Sequence, residues 1–233
     1  MTIKPIKTKV FLEGEDLYKF IISYIHQSEE NSIIAITSKI VALSENRTAL
    51  NTSLKAKNKL IKAESKYAIP TKLVWLTIKD NLITPSAGID ESNANGKLIL
   101  LPKNSYQTAI HLRNKLKRKY QIKNLGIIIT DSRTLPLRAG VVGLALGYAG
   151  FVGVKDYRGQ TDIFGRKFHY SRVDIADSLA TAATLMMGEG DEQQPLAIIT
   201  NAPVKFCTHI KQQELVIPIK DDMYYPLLKN LLK

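Results

Sequence analysis

The feature that most constrains the fold is a short run of β-branched residues that ends in two polar side chains. Ile127–Ile129 predicts a buried β-strand, because β-branched residues pack well on a pleated, buried surface. The run passes through Thr130 into Asp131 and Ser132, so we expect the strand to deliver a carboxylate and a hydroxyl at its end. Oxygen ligands of this kind suit Mg²⁺ or Mn²⁺, and the sequence therefore predicts a metal ion at this strand end.

A passage of small and apolar residues follows and gives way abruptly to a polar stretch. Pro136 limits the backbone, and the glycine-rich run 139–154 lets main chain lie close to main chain or to a ligand. Tyr157 to Asp162 then carries a phenol, a guanidinium, an amide and a carboxylate within six residues. An ordinary hairpin needs fewer polar groups than this, which indicates a binding function.

The composition is typical of a globular, enzyme-sized chain. Its 233 residues, 45% of them hydrophobic, suffice for one substantial core or two small lobes. No stretch has the composition of a linker, so we expect a single domain over residues 1–233. The longest uncharged run, 139–154, is shorter than the roughly 20 residues that a membrane helix needs. Because no secretory signal is apparent either, we predict a cytoplasmic protein without a membrane span.

Cysteine and charge content limit the kinds of site that the chain can carry. The single cysteine, Cys207, excludes an internal disulfide and a multi-thiolate metal site. A formal charge of +12 indicates either an anionic partner or a lysine-rich solvated surface. The densest basic cluster, residues 113–119, would suit a polyanion, but a solvated helix face also explains it. We expect no nucleic-acid partner.

Hydrophobic periodicity and capping residues predict a mixture of strands and helices. Strands are expected at Lys9–Leu12, Ser32–Thr37, Leu73–Leu76, Lys97–Leu101 and Leu196–Thr200, with an edge hairpin within Cys207–Ile219. Helices are expected from Asp16 to about His26, within 47–72, from Asn104 or Ser105 to about Tyr120, from an Asp174 cap over Ile175–Met187, and over Tyr224–Lys233. This mixture predicts an α/β fold.

Two further stretches carry polar side chains suited to phosphate or metal. Ser38 and Lys39 follow the predicted strand Ser32–Thr37, and a hydroxyl beside an ammonium suits phosphate oxygens. A turn-capping serine and a solvated lysine would give the same pattern. Asp90–Asn93 supplies two carboxylates, a hydroxyl and an amide, which suit Mg²⁺ or Mn²⁺ unless they form only an Asx turn.

Together these stretches resemble the signature of the coenzyme F-420 gamma-glutamyl ligase family. The most specific matches are Ile89–Asn93 and Asp156–Gln160. The other matches are Thr130–Ser132, Pro136, Arg138, Gly140, Gly147, Ala149, Gly150, Asp162, Gly165 and Arg166, with Ile36–Val41, Thr84–Gly88 and Met187–Glu189 outside the central stretch. The resemblance covers nearly the whole chain in the expected order.

The resemblance implies a reaction, a fold and a set of site residues. The reaction would be GTP-dependent addition of L-glutamate to a γ-carboxylate, with Mg²⁺ or Mn²⁺ as cofactor and with release of GDP and phosphate. The fold would be mixed α/β with two interpenetrating lobes, their mixed sheets flanked by helices, in a homodimer. The implied roles are metal ligation by Asp90, Asp131, Ser132 and Glu189, nucleotide binding by Ser38, Lys39, Asn93, Gly188 and Gly190, catalysis by Asp131 and Arg138, and substrate binding by Tyr157, Arg158, Gln160 and Asp162.

The chain departs from the family pattern at three places. Leu43 stands where the family has a second lysine, which leaves the choice between GTP and ATP open. Thr134 and Leu135 replace a Gly-Arg pair, and Val141 and Val142 replace a Gln-Thr pair. Three interpretations stay open: a ligase for a coenzyme F-420 precursor, a ligase for another acceptor such as a folate, and a nucleotide-binding homologue with weakened catalysis.

Overall fold

The computed structural model describes residues 1–229, and within them the predicted mixed α/β class is confirmed. The strands are β1 (Thr2–Ile6), β2 (Ser32–Thr37), β3 (Thr48–Leu50), β4 (Tyr67–Pro70), β5 (Trp75–Lys79), β6 (Leu82–Pro85), β7 (Lys97–Ile99), β8 (Leu125–Thr134), β9 (Val141–Ala149), β10 (Val154–Asp156), β11 (Arg172–Asp174) and β12 (Leu196–Thr200). The helices are α1 (Leu17–Tyr24), α2 (Ser38–Ser44), α3 (Leu54–Glu64), α4 (Ser105–Tyr120), α5 (Ile175–Met187) and α6 (Tyr225–Leu228). The predicted closing helix is thus found in part, and its residues 230–233 lie outside the described range.

The main sheet has five strands in the order β1-β12-β2-β8-β9. β2 and β8 run parallel, and the other neighbours are antiparallel. Pro5 lies in the edge strand β1, where its missing N–H leaves no central ladder position unpaired. The parallel pair brings the carboxyl ends of β2 and β8 together, and in open α/β sheets ligands bind at such ends.

Both faces of the main sheet are covered by helices, which explains its nearly continuous runs of apolar residues. Ile34 and Ile36 of β2 pack in one cluster with α1, α2 and α4. Ile33 and Ala35, which point the other way, pack in a second cluster with α5. Burial of each isoleucine contributes about 1.5–3 kcal/mol, so β2 is held from both sides.

Capping residues fix where three of the helices begin. The side chains of Asp16, Asn104 and Asp174 each accept a hydrogen bond from the amide three residues on, at 2.9, 3.0 and 2.9 Å. Each cap stabilises its helix by about 1 kcal/mol.

Close packing of α5 on β9 needs a glycine, because a Cβ on Gly143 would lie 2.4 Å from the Ala180 carbonyl oxygen.

A smaller lobe, residues 48–99, lies beside the main sheet. It contains the β3-β7 pair and the antiparallel sheet β4-β5-β6. α3 closes its core by burying Ile61 against Ala87, Ile89 and Leu98. This lobe carries the loop that follows β6, and that loop reaches the candidate site described below.

A long hairpin, here called the arm, spans residues 154–174. β10 and β11 pair at its base, and most of the residues between them are exposed. Ile163 and Phe164 are 92% and 88% exposed near its end. The arm therefore presents two adjacent large apolar side chains to solvent.

Two predicted elements are wrong. Lys9–Leu12 is not a strand, because the Lys9 amide donates to the Tyr24 hydroxyl at 2.8 Å and the Leu12 amide to a Glu15 carboxylate oxygen at 2.9 Å. These side chains take the place of a partner strand, and the first strand is β1. The expected edge hairpin within Cys207–Ile219 is a series of turns and bends.

The basic cluster on α4 is smaller than the sequence indicates. Arg113 is buried and donates to the carbonyl oxygens of Leu125 and Cys207, at 2.7 and 3.1 Å. Its guanidinium joins the helix to the sheet and is not available to a polyanion. Within residues 1–229 no helix is both long enough and apolar enough to cross a membrane.

Candidate functional site

The candidate site begins where the two parallel strands end side by side. Their register places Thr37 opposite Thr130. The next residues along the chain are Ser38 and Asp131, and the Ser38 hydroxyl donates to the Asp131 carboxylate at 2.9 Å. The parallel pairing of β2 with β8 therefore brings together two residues that are 93 positions apart in the sequence.

β8 differs from the expected strand, because it does not end at Asp131. It continues to Thr134 and turns back as β9, with a register shift between Ile129 and Thr130. Such an irregularity changes the direction of the side chains that follow it. Asp131 and Ser132 therefore reach the site from inside a strand, beyond a bulge.

A cavity of about 440 Å³ lies over these strand ends. Five parts of the chain line it: 8–11, α2 with the preceding Thr37, the loop that contains Asp90 to Asn95, the Thr130–Ser132 stretch of β8, and the end of α5 with the loop that follows it to Pro195. A cavity of this size fits a small organic ligand. Eight predicted residues line it: Lys39, Asp90, Asn93, Asp131, Ser132, Gly188, Glu189 and Gly190.

Three acidic side chains influence one another in this cavity. Burial, with repulsion from Asp90 and Glu189, raises the pKa of Asp131 to about 7 against the hydrogen bond that Ser38 donates. Burial also raises the pKa of Glu189, which a hydrogen bond with Ser132 opposes. Carboxylates that repel each other in this way are stabilised by a cation.

An ammonium group already lies among these acids. The Lys39 nitrogen is 2.7 Å from an Asp90 carboxylate oxygen, and it donates to the carbonyl and hydroxyl oxygens of Ser92, both at 3.0 Å. Burial acts to raise the pKa of Asp90, but the contacts with Lys39 and Ser92 hold it below its ordinary value. The first turn of α2 is thereby tied to the loop of the smaller lobe.

The smaller lobe also contacts the glycine-containing loop after α5. The Asn93 amide donates to the Gly190 carbonyl oxygen at 3.0 Å, and the Gly190 N–H donates to Glu192 at 2.8 Å. Asn93 has φ 53°, a left-handed conformation that asparagine tolerates better than most residues. This contact closes one side of the cavity.

The donor set fits a divalent cation that is shared with a bound ligand. Within residues 1–229 no three acidic, cysteine or histidine side chains are close enough together to surround one ion. Mg²⁺ usually takes one or two carboxylates and completes its shell with water and phosphate oxygens. The carboxylates and the Ser132 hydroxyl at this cavity are donors of that kind. The metal itself stays a prediction.

Five predicted residues lie away from the cavity. Arg138 is exposed in the turn between β8 and β9, next to Leu137, whose φ is 58°. Tyr157, Arg158, Gln160 and Asp162 lie in the arm. Arg158 pairs there with Asp156 at 2.5 Å. Their proposed roles in catalysis and substrate binding stay predictions.

Several residues of the cavity went unnoticed in the sequence, and Phe11 and Gln194 are two of them. Phe11, in the segment wrongly predicted to be a strand, lines the cavity with a buried ring. Gln194 lines it too, and among the described residues its amide oxygen is buried without a hydrogen-bond partner. Only the tertiary structure brings these residues to the site. Leu43, noted as a departure from the family pattern, also lines the cavity.

Comparison with known proteins identifies one family. A family model described as F420-0:Gamma-glutamyl ligase matches residues 5–201. The coenzyme F420:L-glutamate ligase of Methanococcus maripaludis (strain C6) is 34% identical over 208 residues, which is 88% of this chain and 83% of the relative. The protein of the same name from Methanocaldococcus jannaschii is 38% identical over 146 residues, 63% of this chain and 58% of that relative.

Proposed function

The chain belongs to the F420-0:gamma-glutamyl ligase family, and we propose that it adds L-glutamate to the γ-carboxylate of an acceptor that ends in a glutamyl group. GTP would supply the energy. The observation that carries this proposal is the convergence of Asp90, Asp131 and Glu189 on one cavity together with Lys39. This combination suits a metal-bound triphosphate, because it offers carboxylates for the ion and an ammonium for phosphate oxygens.

The reaction must first make a poor leaving group into a good one. An oxygen of the acceptor γ-carboxylate would attack the γ-phosphorus of GTP, and GDP would leave. The glutamate nitrogen would then attack the carbonyl carbon of the acyl phosphate, and phosphate would leave with an oxygen that began in the carboxylate. Most of the catalysis consists of positioning and of stabilising negative charge.

The side chains of the cavity would divide these tasks. One or two bound Mg²⁺ or Mn²⁺ ions would neutralise phosphate charge. Asp90, Asp131, Glu189 and the Ser132 hydroxyl would share the ligation, with no more than two of the carboxylates on any one ion. Ser38 would orient Asp131 through the 2.9 Å hydrogen bond already present. Lys39, released from Asp90 by the incoming ion, would bind phosphate oxygens.

Other residues of the cavity lining suit a purine base. Phe11 and Leu43 supply apolar surface, and the unpaired amide oxygen of Gln194 would accept a hydrogen bond from an N–H of the base. Leu43 presents apolar surface at a position where the family pattern has a lysine ammonium. Guanine and adenine both present N–H groups, so a comparison of GTP with ATP is part of the test.

We further propose that the functional unit is a homodimer. Arg138 and the predicted substrate residues of the arm lie away from the cavity of their own chain, and the arm exposes Ile163 and Phe164. Two copies that exchange arms would cover this apolar surface and would bring Arg158 and its neighbours to a partner's cavity. The acceptor would then bind between the two copies.

Mass spectrometry of the products tests the ligase directly. The purified protein is incubated with GTP, Mn²⁺, labelled L-glutamate and a panel of glutamyl acceptors that includes a coenzyme F-420 precursor and a folate. We expect one acceptor to gain the mass of one or more glutamyl groups. Asp131→Asn should lower the rate at least 100-fold. Asp80→Asn, in an exposed turn with φ 51°, is the control and should keep full activity.

The competing candidate is a nucleotide-binding homologue without catalysis, which the replacement of lysine by Leu43 favours. It predicts that calorimetry detects GTP binding in the presence of Mn²⁺ while no acceptor gains mass. Equal turnover by the wild type and Asp131→Asn would instead show that the reaction occurs elsewhere.

A further inference from the structure

Three consecutive residues between β6 and Asp90 adopt left-handed backbone conformations. Ser86, Ala87 and Gly88, here called the left-handed turn, have φ values of 50°, 57° and 70°. The Ile89 amide closes the turn by donating to the Ser86 carbonyl oxygen at 3.0 Å. Glycine adopts this geometry readily, but it is strained for serine and alanine. Strain of this kind persists only where the surrounding structure enforces it, and it is concentrated at functional sites.

One threonine of a neighbouring strand holds the left-handed turn. The hydroxyl of Thr77, in β5, accepts a hydrogen bond from the Ala87 amide at 2.8 Å and donates to the Thr84 carbonyl oxygen at 2.5 Å. Thr77 is 1% exposed and Ala87 is fully buried, so solvent does not reach this amide. Because a buried amide without a partner is costly, the conformation of the turn depends on the Thr77 hydroxyl.

Packing fixes the other side of the turn. A Cβ on Gly88 would lie 2.6 Å from the Leu101 side chain, so the turn lies directly against this residue. The Ala87 side chain is buried in one cluster with Ile61 of α3 and Leu98 of β7. Packing therefore keeps the turn in its place, while the hydrogen bond to Thr77 stabilises its left-handed conformation.

The turn determines where Asp90 can lie. Asp90 exchanges two backbone hydrogen bonds with Ile99 of β7, at 2.9 and 2.8 Å, and Pro85 is paired within β6. Residues 86–89 connect these two fixed points, and three of the four belong to the left-handed turn. Relaxation of the turn to ordinary backbone geometry would redirect the chain and shift Asp90. The carboxylate that contacts Lys39 and lines the cavity would move with it.

We propose that Thr77 is a positioning residue of the metal site. Its hydroxyl holds the left-handed turn, and the turn places the Asp90 carboxylate where it can ligate Mg²⁺ or Mn²⁺. This inference rests on the proposed function, which assigns Asp90 to the metal. Loss of the hydroxyl would make the competent turn a minor state, and the apparent metal affinity falls in proportion to the population of the competent state.

Hydrogen exchange of the wild type tests the coupling between turn and metal. Overlapping peptides that span residues 84–91 are followed by mass spectrometry with and without Mn²⁺. Because Mn²⁺ would bind only when the turn is formed, Mn²⁺ at ten times its dissociation constant should slow exchange of the Ala87 amide about tenfold. An unchanged rate at Ala87 would overturn the inference. This experiment decides the question should a variant of Thr77 fail to fold.

Two substitutions of Thr77 then separate the hydroxyl from the rest of the side chain. Thr77→Val removes the hydroxyl and keeps a β-branched side chain that suits a strand. The dissociation constant for Mn²⁺ without nucleotide, measured by electron paramagnetic resonance, should rise about tenfold, and the Ala87 amide should exchange about tenfold faster. Thr77→Ser keeps the hydroxyl and should hold both values within about twofold of the wild type. Equal Mn²⁺ affinity in the wild type and Thr77→Val would overturn the positioning role.

Thr84→Val is the matched control. Thr84 lies opposite Thr77 in the β5-β6 pair and is 6% exposed. It accepts the Thr77 hydrogen bond through its main-chain carbonyl group, which the substitution keeps. This variant should bind Mn²⁺ as the wild type does, and urea unfolding checks that each variant is folded under the binding conditions. Equal losses of Mn²⁺ affinity in Thr84→Val and Thr77→Val would show a general effect on the smaller lobe and overturn the role of Thr77.

Activity separates this inference from the proposed function. If the ligase is active, Thr77→Val should need about tenfold more Mn²⁺ for half-maximal rate and reach the wild-type kcat at saturating Mn²⁺, because metal binding restores the competent turn. An active Thr77→Val with the wild-type Mn²⁺ requirement would overturn the positioning role and leave the ligase intact. Weaker Mn²⁺ binding by Thr77→Val in a protein that forms no amide would support the positioning role and contradict the ligase. A wild type that binds no Mn²⁺ would overturn both the metal site and the role of Thr77.

Discussion

Lys39 is the residue on which the proposed coupling between metal and nucleotide depends. Its ammonium lies 2.7 Å from Asp90, a proposed metal ligand, so it occupies the place next to that carboxylate that a cation would take. A divalent ion and an ammonium repel each other strongly at such a distance. Metal binding should therefore release Lys39, and the released side chain is then free to bind phosphate.

We predict that Lys39→Met tightens Mn²⁺ binding in the absence of nucleotide and weakens nucleotide binding in its presence, each about tenfold. The first effect follows because Asp90 no longer has a competing cation, the second because a phosphate contact is lost. Free Mn²⁺ measured by electron paramagnetic resonance gives the first constant, and calorimetry gives the second. Lys97→Met, which removes the partner of Glu13, is the control. Mn²⁺ affinity unchanged or lower in Lys39→Met would contradict the displacement.

Single residues of the site were predictable where a motif carries their chemistry. Asp131, Asp90 and Glu189 could be named because oxygen-rich stretches suit a metal and resemble a family signature. Phe11 and Gln194 could not, because each is chemically ordinary and becomes part of the site only through the fold around it. The position of Arg138 could not be predicted either, because the sequence does not indicate how far the β8-β9 hairpin extends.

At the scale of elements, the residues at the start of α5 should make the stability of the fold depend on pH. Asp174 caps this helix, and its neighbour Asp177 accepts a hydrogen bond from the Ala145 amide at 3.0 Å. Burial, with repulsion from Asp177, raises the pKa of Asp174 to about 6. Between about pH 4 and pH 6, Asp174 therefore stays protonated in the folded state but is ionised in the unfolded state. The contribution of Asp174 to the free energy of unfolding falls as pH rises through that range.

We predict that Asp174→Asn removes this loss and keeps the cap, because asparagine caps helices as well as aspartate does. Between pH 4 and pH 6 the free energy of unfolding of the wild type should fall by about 1–2 kcal/mol relative to the variant, after allowance for solvent screening. Urea unfolding at pH 4, 5, 6 and 7 measures the difference. Parallel pH profiles for the two proteins would show that Asp174 does not titrate in this range.

Elements were predictable where their signals are local. The caps at Asp16, Asn104 and Asp174, and the strands Ser32–Thr37 and Leu196–Thr200, are found as predicted, because a capping side chain or an apolar run acts within a few residues. Lys9–Leu12 has apolar residues but no partner strand, and pairing depends on distant parts of the chain. The short helix α2 was missed for a similar reason, since its apolar residues reflect burial on both sides.

At the scale of the whole molecule, the arm should decide the oligomeric state. Ile163 and Phe164 are adjacent and almost fully exposed, and the predicted acceptor residues lie in the same hairpin. We predict that Ile163→Ser/Phe164→Ser shifts the protein from dimer to monomer and lowers ligase activity at least tenfold, because the acceptor site loses its second chain.

Light scattering after size exclusion measures the mass of each variant in solution. Leu73→Ser is the control, because Leu73 is 88% exposed in the smaller lobe and lies outside the arm. It should leave mass and activity unchanged. A wild type that is monomeric and active at assay concentration would contradict the proposed dimer.

The predicted cytoplasmic location stays a prediction.

We propose that the cavity around Asp131 activates a carboxylate with a nucleoside triphosphate, and oxygen transfer from an acceptor whose γ-carboxylate carries ¹⁸O tests this proposal. We predict that the inorganic phosphate released with each new amide contains one ¹⁸O atom, and that Asp131→Asn abolishes this phosphate. Phosphate that is free of ¹⁸O while the amide forms, or labelled phosphate released at the same rate by Asp131→Asn, would contradict it.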